Sequence, residues 1–304
     1  MKTTRKQFLG AAIVSVLYFS WMYFKVGIRP DHLISFVFFA FLYFYNQSTR
    51  KFFFAMIPFI VYITVYDSLR SFPNYTFNTV HIQDLYLHEK QLFGVFYNGS
   101  RLTLNEYFGF HQHTVYDLIS GIAYITWVPV PLGFSMYLYF TRRRNLYINM
   151  VFLFVLSNLI GFVIYYLYPA APPWYVSTCG FEFHQNTPGI AARLSNFDNL
   201  VGLPVFETFY KGNANIFAAI PSIHAANPFT AFLASFQLKK PAVTAAFLLV
   251  TLSMWFGAIY GNHHYLIDVF AGGLTALAAF FVVQVLLRKT GINRYLKQYE
   301  KLIS

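Results

Sequence analysis

Two histidines and a carboxylate lie close together in Gly261-Asn262-His263-His264-Tyr265-Leu266-Ile267-Asp268, within a chain otherwise dominated by apolar residues. His264 and Asp268 are four apart, so a helix sets them on one face. There the carboxylate is expected to accept a hydrogen bond from imidazole Nδ1 and leave Nε2 free. An imidazole oriented in this way attacks well, and a nearby anion stabilises the cation that it becomes. The plainer alternative is an aspartate that caps its own helix beside a histidine with structural bonds. Displacement also needs a proton for the leaving group. Pro221-Ser222-Ile223-His224, at the mouth of another apolar segment, supplies a candidate in His224.

Pro221-Ser222-x-His224 resembles the PSxH motif of the type 2 phosphatidic acid phosphatase superfamily, and His264-x-x-x-Asp268 resembles its HxxxD motif, in the same order. Tyr168-Pro169-Ala170-Ala171-Pro172-Pro173-Trp174-Tyr175, together with His263-His264-Tyr265-x-x-Asp268, is similar to the branch containing inositol phosphorylceramide synthases. The resemblance covers roughly the second half of the chain, from Asn145 to Thr290. It implies an all-α polytopic membrane bundle that works by double displacement without metal or other cofactor. On that pattern His264 attacks the phosphorus of a glycerophospholipid, Asp268 orients it, and His224 protonates the departing diacylglycerol oxygen. His224 then takes the proton of an incoming lipid hydroxyl, which removes the headgroup phosphate from His264. By resemblance the donor is phosphatidylinositol and the acceptor a ceramide or dihydroceramide. Ser222, Asn262, His263 and Tyr175 are expected to contact substrate or phosphate.

One departure bears on the substrate. The superfamily's phosphatases carry K-x6-R-P before PSxH, and Ser-Arg seven and six positions before the HxxxD histidine, to clamp phosphate. Gly257 and Ala258 stand at the Ser-Arg positions here, and Tyr168 to Pro173 contains no Lys or Arg. Lys25 to Pro30 reads K-x-x-x-R-P, with the wrong spacing in the wrong part of the chain. A monoester dianion without arginine is poorly neutralised, whereas a diester carries a single charge. The departure therefore favours a diester, with Arg193, Lys211 or Arg101 supplying a cation from the loops. Hydrolysis, with water replacing the lipid alcohol, is the alternative enzyme. A non-catalytic lipid carrier or channel would instead place polar residues along its helix interiors.

Composition demands a membrane setting for these residues. The 304-residue chain is 57% hydrophobic, 21% aromatic and 11% charged, which describes a multi-span membrane protein. Eight apolar segments are expected: Phe8–Phe24, Leu33–Tyr45, Phe52–Leu69, Tyr116–Phe140, Leu146–Tyr168, Ile216–Phe236, Ala242–Tyr260 and Tyr265–Leu287. The first has no small-residue cleavage site after it and ends in Trp21-Met22-Tyr23-Phe24-Lys25, so it reads as a retained helix and not a signal peptide. With the N-terminus inside, this threading puts fifteen of the 22 Lys and Arg on the cytoplasmic side. The net charge of +11 is thus an orientation signal and not a nucleic-acid patch. His224, His264 and Asp268 then meet on the outer side, the periplasmic face of a bacterial inner membrane or the lumenal face of a Golgi membrane. The single Cys179 rules out an internal disulfide.

Residues 1–115 read as N-terminal membrane helices plus an outward loop, and 116–304 as the catalytic membrane core. The first long loop is expected to carry an interfacial amphipathic helix over His81–Phe93 and a turn capped by Asn105. His111, His113 and Asp117 have metal-compatible side chains but lack the ligand pattern of a structural site, and are read as interface residues. The second loop opens with prolines that end a helix, after which Trp174 and Tyr175 are expected at headgroup level. Its Glu182, His184, Asp198 and Glu207 are candidate contacts for a polyol headgroup.

Overall fold

The computed structural model describes residues 4–185, 187–212 and 215–304. By packing the chain divides into two compact units, Met1–Phe72 with Thr290–Ser304, and Pro73–Lys289. Residues 73–115 are bonded into the second unit. Asn74, fully buried, donates to the carbonyls of Tyr165 at 2.9 Å and Phe217 at 2.7 Å.

The first unit holds α1 (Arg5–Trp21), α2 (Pro30–Tyr45) and α3 (Gln47–Ser68). Their starts follow local chemistry. Thr4 and Gln7 form a reciprocal capping box, Pro30 opens α2 at a position that needs no donor, and Asn46 Oδ1 accepts from Thr49 N at 2.9 Å. Asp67, buried at the end of α3, is satisfied by Arg29 at 3.1 Å, Arg70 at 3.0 Å and His32 at 2.8 Å. A carboxylate removed from water needs such partners. Arg29 of the K-x-x-x-R-P stretch is thereby committed to Asp31 and Asp67.

The second unit begins with α4 (Gln83–Phe93), the hairpin β1 (Val95–Tyr97) and β2 (Ser100–Leu102), and α5 (Leu104–Phe110). The hairpin turns at Asn98-Gly99, both at positive φ, the residue pair that a two-residue turn favours. Next come α6 (Thr114–Ile125), α7 (Pro129–Phe140), α8 (Arg144–Leu167), α9 (Pro173–Cys179), α10 (Ser195–Val201) and α11 (Val205–Lys211). The core is completed by α12 (Ile223–Ser235), α13 (Pro241–Tyr260) and α14 (Leu266–Arg288). The last helix, α15 (Thr290–Ile303), belongs to the first unit, where Tyr299 donates to the Phe54 carbonyl at 3.1 Å.

Helix α12 is central, packed against α7, α8, α13 and α14. Close approach to α14 depends on Gly272, where a Cβ would come within 2.2 Å of the Ser222 carbonyl oxygen. Buried Asn158 and Asn227 join α8 to α12 at 2.7 Å, while Leu249, Leu274 and Phe281 face outward, exposed. Polar side chains within and apolar ones without is the pattern for lipid surroundings, where burying apolar surface drives no association and interhelical hydrogen bonds contribute.

Helices α1 with its extension to Val26, α3 with its extension to Ser71, α8, α13 and α14 are long and apolar enough to span a membrane. The expected single segment 116–140 is instead two helices bent by 50°. Pro129 lacks the N–H that would continue α6. The expected segment 216–236 is helical only from Ile223, because residues before it are used in pairing: Ala219 N donates to Ala170 O at 3.3 Å.

Candidate active site

The two motifs are brought together at the ends of α12 and α14. Ser222 N-caps α12, its Oγ accepting from Ala225 N at 3.2 Å, and its own N–H donates to the Asp268 carbonyl at 2.9 Å. His224 therefore leaves the first turn of α12 beside the turn that precedes α14. In that turn His263 and His264 both donate their backbone N–H to the Ala258 carbonyl, at 3.2 and 3.0 Å, which reverses the chain sharply after α13.

His224 Nδ1 and His264 Nε2 are 3.1 Å apart. His264 Nδ1 lies 2.9 Å from the Ala219 carbonyl oxygen. A carbonyl only accepts, so His264 carries its proton on Nδ1 and its Nε2 is a lone-pair acceptor. His224 must then donate from Nδ1. The nucleophilic atom is thus defined by bonding on both sides of the ring.

The expected bond from His264 to Asp268 is not formed. Asp268 Oδ2 stands 3.7 Å from His264 Nδ1 and accepts from Tyr265 N at 2.8 Å, capping its own helix. The backbone carbonyl of Ala219 has taken the place that four-residue spacing assigned to the carboxylate. Asp268 remains wholly buried beside the ring, and its Oδ1 has no hydrogen-bond partner among the described residues. It combines the capping role with proximity to any positive charge that develops on the imidazole. Burial pulls the imidazole of His264 down to about 4, partly offset by its bond to Ala219, so it is neutral at pH 7.

His263 points elsewhere. It donates from Nε2 to the Ala191 carbonyl at 3.0 Å and stacks on Tyr210 at 4.3 Å, and burial holds it down to about 3. It fastens the second loop to the histidine turn. Asn262, at positive φ, accepts the Trp174 N–H at 3.0 Å through its carbonyl. Tyr175 is fully buried against Phe217, its hydroxyl donating to the Glu182 carbonyl at 2.7 Å and accepting from His184 N at 2.8 Å. Trp174 and Tyr175 therefore form core and not an aromatic belt, because the prolines fold the chain back onto Ile82 and Phe217.

The loop cations are engaged as well. Arg193 donates to the carbonyls of Tyr260 and, at 3.0 Å, Asn105, and lies over the Tyr260 ring. Its backbone N–H reaches the Gly261 carbonyl at 3.2 Å, beside the histidine turn. Lys211 pairs with Glu207 at 2.8 Å on an exposed face of α11, and Arg101 donates to the Gln91 carbonyl. Asp198 caps α11 through Phe206 N at 3.0 Å and Glu207 N at 2.9 Å. Gly257, at the phosphatase serine position, would bring a Cβ within 3.1 Å of Ser120 Cα, so this stretch is used for helix packing.

Sequence reasoning missed the shell around the pair. Tyr124 and Trp127, at the bend between α6 and α7, lie 4.8 and 4.5 Å from the His224 ring, centroid to centroid. The first loop reaches the site too. Thr103, not Asn105, caps α5 by a reciprocal box with Glu106. Asn105 is buried and donates to the carbonyls of Ile259 at 2.8 Å and His264 at 3.0 Å. Helix α4 is docked on protein through Leu85 and Glu89 and does not lie free at an interface. His111, His113 and Asp117 have separate partners: Tyr107 O, Val115 N and the Tyr260 hydroxyl.

A helical membrane core with PSxH and HxxxD turns meeting at two histidines places this chain in a known class. A family model described as PAP2 superfamily matches residues 100–282, and the chain belongs to that superfamily. It is 38% identical over 302 residues to the phosphoinositol dihydroceramide synthase of Bacteroides thetaiotaomicron, covering 99% of both chains. It is also 24% identical over 239 residues to the inositol phosphorylceramide synthase catalytic subunit AUR1 of Saccharomyces cerevisiae, and 23% over 272 residues to the inositol phosphorylceramide synthase of Candida albicans. These alignments cover 77% and 88% of this chain but only 57% and 55% of the fungal proteins. No solved structure matches.

Proposed function

We propose that the protein transfers a phosphoinositol headgroup from phosphatidylinositol to a ceramide or dihydroceramide, releasing diacylglycerol. The observation that carries this reading is the 3.1 Å His224–His264 pair with its fixed tautomer, in a chain that matches a named phosphoinositol dihydroceramide synthase end to end.

In the first step the His264 Nε2 lone pair forms the N–P bond as the P–O bond to diacylglycerol breaks. The leaving oxygen takes a proton from His224, which acts as the imidazolium, a form that the anionic diester favours. The phosphorylated His264 ring is cationic. It keeps its Nδ1–H on Ala219 and has Asp268 at 3.7 Å. In the second step neutral His224 takes the acceptor hydroxyl proton, the new O–P bond forms, and the N–P bond breaks. Protons and bonds balance over the cycle, and His264 ends neutral. An attacking atom needs to lie about 3 to 3.5 Å from phosphorus, so the His224 ring must turn away from His264 when the phosphate enters.

Arg193, beside the turn, is the proposed cation for the diester charge, with Ser222, Asn262, His263 and Tyr175 shaping the turn and loop around it and Lys211 paired with Glu207. The charge asymmetry supports an outward-facing site, on the periplasmic side of a bacterial membrane. Incubation with headgroup-labelled phosphatidylinositol, with and without ceramide, followed by lipid separation, tests the reading. Ceramide-dependent labelled sphingolipid is expected; labelled water-soluble inositol phosphate alone would replace transfer by hydrolysis.

A further inference from the structure

Glu89, on α4, is fully buried. Its Oε1 accepts from Leu266 N and its Oε2 from Ile267 N, each at 3.0 Å. Asp268 Oδ2 holds the preceding amide, Tyr265 N. Three consecutive N–H groups between His264 and Asp268 are therefore held by two carboxylates, one of them from the first loop. The first N–H groups of a helix always need partners. A local Ser, Thr or Asn commonly supplies one at little cost, whereas a buried carboxylate carries a large desolvation penalty. The neighbouring Asn105 adds a bond to the His264 carbonyl at 3.0 Å. The first loop thus grips the histidine turn from both sides.

We infer that Glu89 is a positioning residue for the transfer reaction: its ionised carboxylate fixes the first turn of α14, and with it the placing of His264 against Asp268 and His224. This rests on the proposed roles of those three residues. Protonation turns one of the two acceptor oxygens into a donor, releases one amide, and loosens the turn.

The surroundings place that protonation in an accessible range. Burial pushes Glu89 up to about 7; the Ile267 and Leu266 amides oppose the rise and the charge of Asp268 adds to it. The titratable groups that face it are Asp268 on α14 and Tyr265 in the turn, where Tyr86 of α4 and Glu106 of α5 also act on Tyr265; α9, which packs on α4, carries Tyr175 and Cys179. Lys90 is occupied by the Tyr86 hydroxyl at 2.8 Å and by Glu106 at 4.0 Å. Near pH 7 His263 and His264 are already neutral, since burial lowers both to about 3 and about 4. A raised carboxyl group is ionised above its folded value, so the positioned form prevails above about pH 7 and is lost as pH falls.

The test is the pH dependence of kcat and KM in mixed micelles for wild type, Glu89→Gln and Glu89→Asp, with folding followed by size exclusion and thermal melting. Wild type is expected to lose kcat on the acid side with an apparent pKa of about 7. Glu89→Gln is expected to lower kcat about tenfold or more, from misplacement of the nucleophile, with KM little changed and the limb near pH 7 gone. Glu89→Asp should recover part of kcat and keep a titrating limb, which also carries the test if the Gln variant does not fold. A wild-type limb that persists unchanged in Glu89→Gln, or kcat that falls only in proportion to folded protein, overturns the role. The profile is read on whichever phospholipid the wild type consumes, so absence of phosphatidylinositol transfer counts against the proposed function and not against Glu89.

Discussion

Asp268→Asn separates the two jobs that one side chain performs. The substitution keeps an oxygen able to accept the Tyr265 N–H, so the helix cap at 2.8 Å survives. What it removes is a carboxyl group 3.7 Å from His264 Nδ1 whose ionised form a cationic ring favours. When His264 is phosphorylated its ring carries a positive charge. At that separation, with an effective dielectric of about 20, the lost attraction is about 4 kcal/mol, or roughly a thousandfold in rate. Neutral His264 loses far less, so binding of the donor lipid should barely change. The assay is kcat and KM for transfer from phosphatidylinositol, alongside the melting temperature of the purified variant. A fall of two to three orders of magnitude in kcat with near-normal melting is expected. A loss below about tenfold would mean that capping is the main role of Asp268, and the electrostatic argument would be wrong.

Gly272→Ala should cost folded yield, because its Cβ would meet the Ser222 carbonyl at 2.2 Å and overpacking of this kind costs about 1 to 3 kcal/mol; wild-type melting would show that α14 can move aside. In a Cys179→Ser background, Asn98→Cys should react with an impermeant thiol reagent added outside intact cells and Asn145→Cys should not; the reverse pattern would put the site in the cytoplasm. Phosphatidic acid should be a poor substrate by roughly ten- to a hundredfold in kcat/KM against phosphatidylinositol, the worth of one charge-assisted hydrogen bond at the position that Gly257 and Ala258 leave without arginine; faster consumption of phosphatidic acid would favour a phosphatase.

What the sequence disclosed was set by which chemistry resides in side chains. His224, His264 and Asp268 stand out because polar residues at fixed spacing are rare in an apolar chain, and the helices follow from length and hydropathy. The Ala219 carbonyl that fixes the His264 tautomer is invisible, since a backbone acceptor carries no residue-type signal. Nothing in residue type distinguishes Glu89 from the other polar residues of its amphipathic helix, or Asn105 from a helix cap, and only the tertiary fold shows that they are buried. The bend at Pro129 was signalled by the proline itself, yet the apolar run continued across it and concealed the break. Asn98-Gly99 likewise marks a tight turn, but its flanking strands, Val95–Tyr97 and Ser100–Leu102, are too short to show a period-two pattern. Tyr175 lies in core and not at headgroup level, a distinction that composition does not carry, since an aromatic after prolines looks the same in a membrane belt and in a folded-back core.

The stereochemical course at phosphorus tests the double displacement most directly. A chiral phosphorothioate analogue of phosphatidylinositol is presented with ceramide, and the configuration of the product is determined. Two in-line displacements, through His264 and then the lipid alcohol, predict net retention, together with an acid-labile phosphoinositol label on wild-type protein in the absence of acceptor that is missing in His264→Ala. Net inversion, with transfer still occurring, would show that the acceptor attacks the donor lipid directly and that His264 is not the nucleophile.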